Sequence, residues 1–409
     1  MKHFYTFLFF LTLSNLSFCQ TIDWTTKANP SNLTINSVAF TTSGDKVMAG
    51  TNCHPAYIKI YESGNGTQTW EHLISSGFNC IMNVAFSNNT DYIAAMEEFG
   101  NVFIFDNTGS QPVLIDTLDT GTTQGFSSVF SPDNSKLVLG CSNGKVQIYD
   151  VATGSLDTNI AGHPSFVKTV DYASNGQFFV TGGGAGGQIK KWSPEGNLLL
   201  TITAHTGDIN NVEITPDNNY VISGSNDKKV KIWDINTGTL IHTISDHTDR
   251  IWDLDISPDG SKFVSVSKDS TCRIWNFNTW EQIANFGVSD SGFVRSVAWS
   301  PLGNKIATGN AVSDLTMWDI SELSLNENLS SINFDIYPNP STEVLFLSTS
   351  IVDSEYFISI SNELGQEIIR LPANSQKIEI PLDNISNGVY TIKIESNSTS
   401  ISKRFIVQK

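Results

Sequence analysis

Two stretches of this chain carry the residue types of a charge-relay nucleophile. His205, Ser223 and Asp227, and again His247, Ser265 and Asp269, combine an imidazole, a hydroxyl and a carboxylate, the set that activates a serine for acyl transfer when the three stand in line. The two sets share one internal spacing and lie 42 residues apart. A second candidate is Gly182-Gly-Gly-Ala-Gly-Gly187, a composition that elsewhere cradles phosphate. It lies between two strand-like runs, with no helix after it and no Lys-Ser/Thr, so it lacks the helix terminus and the charge that such loops use. It reads as a flexible hairpin turn. No CxxC or Cys/His spacing suggests zinc, and no catalytic, metal or cofactor residue is expected in the chain.

The elements that would position these residues repeat. Aligning on an aromatic before an acidic or polar residue gives Tyr61, Phe105, Tyr149, Trp192, Trp233, Trp275 and Trp318, with successive spacings of 44, 44, 43, 41, 42 and 43. Seven copies at one period predict a repeat architecture. Within one copy, Ile209–Ile214, 220–224, Val230–Trp233 and Leu240–Ile244 alternate as strands, separated by turns at 215–219, 226–228 and 236–238. Four antiparallel strands per period make one blade of a propeller.

Composition bounds the function. The chain has 409 residues and a formal charge of −17, which argues against a phosphate-tracking surface. No nucleic-acid partner is expected. Residues 1–19 read as a signal peptide, with Lys2 ahead of an apolar run from Phe4 to Leu13. Cleavage is expected just before Gln20, since lipidation of Cys19 would need a small residue where Phe18 stands.

Residues 20–320 strongly resemble the WD-repeat β-propeller family. Trp233-Asp234 and Trp318-Asp319 are its dipeptide, and Tyr149-Asp150 and Phe105-Asp106 are close variants. The resemblance implies an all-β fold with seven blades. It also implies that His205, Ser223, Asp227 and Trp233, and likewise His247, Ser265, Asp269 and Trp275, form a structural hydrogen-bonded network inside a blade. The imidazole would then spend its donors and acceptors within the blade, which argues against a triad. His163, Thr181 and Trp192 make a partial set without the acid, and blades one, two, three and seven lack the His.

In an exported propeller, Cys53 and Cys80 fall on one face of neighbouring blades, where a disulfide is possible, while Cys141 and Cys272 are too far apart to pair. The ring must also close. Residues 21–26 alternate apolar with polar and are expected to be the outer strand of blade seven; the alternative is a mobile leader. One face near the central channel should be rimmed by Phe166 and Lys168, Asp208 and Asn210, Arg250 and Trp252, and Phe293 and Arg295. Three of these four pairs set an aromatic beside a cation, residue types enriched at binding hot spots. Either each aromatic packs against the next blade, or this face binds an anionic or protein ligand.

A polar linker spans 321–333, after which the period stops. Residues 334–409 show short alternating strands that fit a small β-sandwich. Tyr337-Pro338-Asn339-Pro340, then Leu364-Gly365-Gln366, then Gly388-Val-Tyr390, and finally Lys403-Arg404 resemble the type A C-terminal sorting domain of the type IX secretion system. That resemblance implies export across inner and outer membranes, with the outer-membrane machinery and its sortase-like peptidase as partners. Cleavage in the linker and attachment through a lipopolysaccharide anchor are further implications. The leading expectation is thus a non-enzymatic, monomeric, secreted or cell-surface scaffold binding a protein or glycan. The rival is a secreted hydrolase or lyase in the channel, which should show convergent carboxylates or metal ligands; no such cluster is evident in the sequence.

Overall fold

Alternation of apolar and polar residues puts one side of a strand into a core, and in a propeller that core lies between neighbouring blades. The computed structural model describes residues 21–28, 34–52, 55–75, 79–121, 124–287, 292–312, 314–321, 323, 334–337, 341–349, 356–362, 366–373, 375, 377–383, 385–396 and 399–409. The chain divides into two units, Met1–Ser321 and Glu322–Lys409.

Among the described residues the first unit holds seven four-stranded antiparallel sheets. Six are built from four consecutive strands each, as in blade five with Ile209–Ile214, Tyr220–Ser225, Val230–Asp234 and Leu240–Ile244. The first strands stand side by side in a closed ring, Ile35–Phe40, Ile81–Phe86, Gly125–Phe130, Val167–Tyr172, Ile209–Ile214, Ile251–Ile256, Val294–Trp299 and back to Ile35–Phe40. Blade seven takes its fourth strand from the other end of the chain. Thr21–Lys27 pairs antiparallel with Asp314–Asp319, from Thr21 opposite Asp319 to Lys27 opposite Asp314. Trp24 extends this closure, donating from Nε1 to the Ser63 carbonyl of blade one at 3.0 Å.

Blade contacts are tight where glycine permits. Gly309 of blade seven leaves room for Ile35 of blade one, and a Cβ there would lie 2.5 Å from Ile35 Cγ2. Buried residues of the two blades, among them Val47 and Tyr61 with Leu315 and Met317, form one core cluster.

Described by itself, the second unit has a three-stranded sheet of Phe334–Tyr337, Val344–Thr349 and Lys377–Pro381. Its four-stranded sheet runs Glu367–Ala373, Tyr356–Asn362, Gly388–Ser396 and Thr399–Val407. Leu345, Leu347, Ile358, Ile360, Tyr390 and Phe405 are buried in one core. Phe334–Tyr337 is a strand that the alternation count misses.

Candidate binding site at the channel mouth

The second residue of each first strand reaches the mouth of the channel. Asn36, Met82, Phe126, Lys168, Asn210, Trp252 and Arg295, one from each blade, line a cavity of about 110 Å³. That is well under the roughly 300–1,000 Å³ of a small-molecule site, so the cavity suits a single polar headgroup.

Most of the residues expected on this rim come together around one ring. Lys168 Nζ lies 5.4 Å from the Trp252 ring centre, the Arg250 guanidinium 5.4 Å and the Arg295 guanidinium 4.6 Å. Each is within the range of cation–π attraction. The aromatics also pack across blade borders. Trp252 stacks on Phe293 at 6.2 Å and Phe166 packs on Phe126 at 5.8 Å. The glycine-rich stretch supports this packing by close approach, since a Cβ at Gly184 would sit 2.2 Å from the Phe166 ring.

Acidic groups stand near the cations of the mouth without pairing with them, Asp253 in the lining of the same cavity and Asp208 close enough to act on Lys168. Lys168 donates to Asn210 Oδ1 at 2.6 Å, and among the described residues neither Arg250 nor Arg295 forms an ion pair. Burial, with Arg295 and Arg250 nearby, lowers Lys168 to about 8 against the opposing pull of Asp208. Burial also lowers Arg295. The Trp252 indole N–H is buried without a hydrogen-bond partner. An anion entering the mouth would meet three cations.

Below the mouth the first strands are laced together. Ser37 Oγ accepts the Val84 N–H, Asn83 Oδ1 the Ser128 N–H, Ser127 Oγ the Val170 N–H and Thr169 Oγ1 the Val212 N–H. Such bonds satisfy the inner edge, which has no further strand to pair with. On the blade four to seven side, carboxylates do the same: Asp171 accepts the Ile214 N–H at 2.7 Å, Asp253 the Val297 N–H at 2.9 Å and Asp255 the Trp299 N–H at 2.6 Å.

With Glu213 these make four carboxylates in one wall, a convergence the sequence reading did not find. Burial raises Asp253 to about 7 and raises Asp171, Asp255 and Glu213 as well, and the charges of Asp171, Asp255 and Asp253 push Glu213 further. Asp171, Glu213 and Asp255 occupy one repeat position in consecutive blades, so reading the repeats column by column would have found them. Raised carboxylates in a channel can serve as general acids. Here three of the four already hold backbone N–H groups of the next blade, which assigns them to the wall.

The two His/Ser/Asp sets are knotted into their blades. His205 Nε2 meets Ser223 Oγ at 2.8 Å and Nδ1 meets Asp227 Oδ2 at 3.0 Å, while Trp233 Nε1 donates to the same Ser223 oxygen at 3.1 Å. His247, Ser265, Asp269 and Trp275 repeat this at 2.7, 2.9 and 2.9 Å. Both histidines are buried, and each serine oxygen is shared between an imidazole and an indole, an arrangement without access for a substrate. In blade four, His163 Nε2 lies 2.9 Å from Thr181 Oγ1 and its Nδ1 has no partner; burial lowers it to about 4. Blade seven is braced by Trp318 Nε1 donating to Thr308 Oγ1 at 2.9 Å.

Cys80 is half of a disulfide; Cys53, expected as its partner, lies outside the described residues, as do the signal peptide and Pro338, Asn339 and Pro340. Cys141 and Cys272 are buried. In the second unit Tyr337 stacks on Phe346 at 5.7 Å. Gly388 opens a strand in which Tyr390 donates to the Ser386 carbonyl at 2.9 Å, and Lys403 and Arg404 lie in the last strand.

Comparison with known proteins finds two families. The WD domain, G-beta repeat, matches residues 151–193, 196–234, 238–276 and 280–319, and the secretion system C-terminal sorting domain matches residues 335–408. Neither is a catalytic family. Curated relatives include WD repeat and SOCS box-containing protein 1 of Takifugu rubripes, 25% identical over 109 residues, which are 26% of this chain and 26% of that protein. Cilia- and flagella-associated protein 52 of Sus scrofa is 24% identical over 215 residues, 50% of this chain and 33% of its own length. Polyadenylation factor subunit 2 of Candida albicans is 24% identical over 107 residues, 26% of this chain and 20% of its own. The chain spans about a fifth to a third of the length of these three relatives.

Proposed function

We propose, on the premise that this chain joins WD40 repeats to a type IX sorting domain, that it is an interaction scaffold which holds a protein partner at the channel mouth through an acidic group. The sorting domain directs export to the cell surface or the extracellular space, so the partner would be met there. The observation that carries the reading is the set of Lys168, Arg250 and Arg295 around Trp252, without an ion pair among the described residues in a protein of charge −17. An acidic side chain or chain terminus would pair with the cations. Flanking apolar residues of the partner would lie on Met82, Phe126 and Phe293, the composition of a hot spot with a polar centre.

Charge reversal tests it. The full chain and its Arg250→Glu/Arg295→Glu form would each be used to retain proteins and glycans from the surface of the producing cell. Loss of a protein partner on reversal, with association slowed by salt, is expected. Unchanged retention of every ligand would overturn the proposal, and retention of glycans alone would move it to the glycan reading.

A further inference from the structure

In five of the blades the turn after the third strand holds one residue at positive φ. Glycine fills it at Gly66, Gly154, Gly196 and Gly238, with φ of 72°, 64°, 91° and 74°. In blade six the residue is Trp280, at φ 63°, closing the same turn by donating its N–H to Asn276 O as Gly238 does to Asp234 O. A bulky side chain at positive φ is an outlier, and such outliers persist where the surroundings or a function hold them.

Trp280 stands over a groove of about 390 Å³ between blades five and six, lined also by Tyr220, Phe277, Asn278, Asp217 and Asp259. The rings are tilted about one another. Trp280 and Phe277 lie 5.0 Å apart at 64°, and Phe277 and Tyr220 5.6 Å apart at 59°. His242 stacks on the indole at 5.2 Å. Among the described residues that line the groove there is no lysine or arginine.

The preceding groove shows what such a wall holds. Between blades four and five, Lys191 Nζ sits 4.1 Å from the Phe178 ring centre and donates to Ile235 O at 3.4 Å and Asn236 Oδ1 at 3.2 Å. One blade on, Phe178 corresponds to Tyr220, Ile235 to Phe277 and Asn236 to Asn278, while Lys191 corresponds to the buried Ile232. The ring, the carbonyl and the amide recur, two carboxylates line the groove and an extra indole is added, but the lysine is missing.

We infer that the groove between blades five and six binds an organic cation, which takes the place that Lys191 fills one blade earlier. Aromatic faces at an angle with carboxylates beside them attract ammonium or guanidinium groups. The carboxylates are committed to their turns, Asp217 accepting from Thr215 and Asn219 and Asp259 from Ser257 and Ser261, so they supply field while the rings supply contact. This site does not depend on the channel-mouth reading, and its ligand has the opposite charge.

The test uses the full chain in about 0.15 M salt, where exposed charges are screened beyond ~8 Å. Tetramethylammonium and Nα-acetyl-lysine amide are titrated against their neutral counterparts, neopentyl alcohol and Nα-acetyl-norleucine amide, with tryptophan fluorescence as readout. Saturable binding of either cation and none of the neutral compounds is expected. The first cation marks a small free ligand, the second a basic side chain of a partner. Trp280→Gly restores the residue of the sibling turns, so it keeps the fold and weakens cation binding about tenfold. Tyr220→Leu weakens it similarly. Equal binding of neutral and charged compounds, no saturable binding, or an unchanged affinity in both variants overturns the inference.

Discussion

Glu213 shows how a single residue records its surroundings. Its carboxyl is raised by burial and by Asp171, Asp255 and Asp253, so the folded protein keeps its proton to higher pH than the unfolded chain does. The stability linked to that proton is present below the ordinary carboxylate range and is lost as pH rises toward the folded value. Glu213→Gln is therefore expected to raise the thermal midpoint by about 2–4 °C at pH 8 and to do little at pH 5, read by melting curves at the two values. Asp227 behaves in the opposite sense. Burial pushes it up, but the hydrogen bond and charge of His205 together with the Thr206 and Lys229 N–H groups outweigh that and hold it at about 2, so its contribution is present at neutral pH and is lost only as the solution becomes strongly acid. Ser223→Ala would leave His205 Nε2 and Trp233 Nε1 unpaired in a buried site and should cost about 1–3 kcal/mol, measured by denaturant unfolding. At this scale the rim residues were legible because they break a repeat. The carboxylate wall was missed because Asp171, Glu213 and Asp255 lie outside the positions that define the repeat.

At the scale of the strand, closure depends on Thr21–Lys27. It pairs along Asp314–Asp319, and Trp24 both crosses to Ser63 and covers Gly66, whose Cβ would meet the indole at 2.7 Å. Trp24→Ala removes this clasp between first and last blades. A loss of about 3 kcal/mol is expected, together with faster amide exchange in Asp314–Asp319 than in the third strand of any other blade. Equal exchange would show that closure rests on the first strands alone. The strands of blade five were readable to within a residue from period-two alternation. Phe334–Tyr337 was not, because Pro338-Asn339-Pro340 follows it at once and marks the stretch as a turn or loop. The lacing of first strands was invisible too, since a serine or aspartate oxygen can accept from a neighbour only after the ring has brought the two blades together.

For the whole molecule, the division at residues 321 and 322 separates the repeat unit from the sorting unit. A chain lacking 334–409 is expected to remain in the periplasm with its propeller folded, because each unit has its own core. Cell fractionation with a melting curve on the retained protein checks this; appearance at the cell surface would remove the tail from the export route.

The sequence by itself determined the repeat, the all-β class and the sorting tail, since all three are written in local periodicity and in motifs a few residues long. Tertiary structure decided which charges meet. Lys168, Arg250 and Arg295 lie up to 127 residues apart in the chain yet face one indole, and Trp280 borders on Tyr220 only through the seam of two blades. The physical reason is that a ring of blades brings the same position of every repeat to one place, and the chemistry there depends on the residues by which the repeats differ.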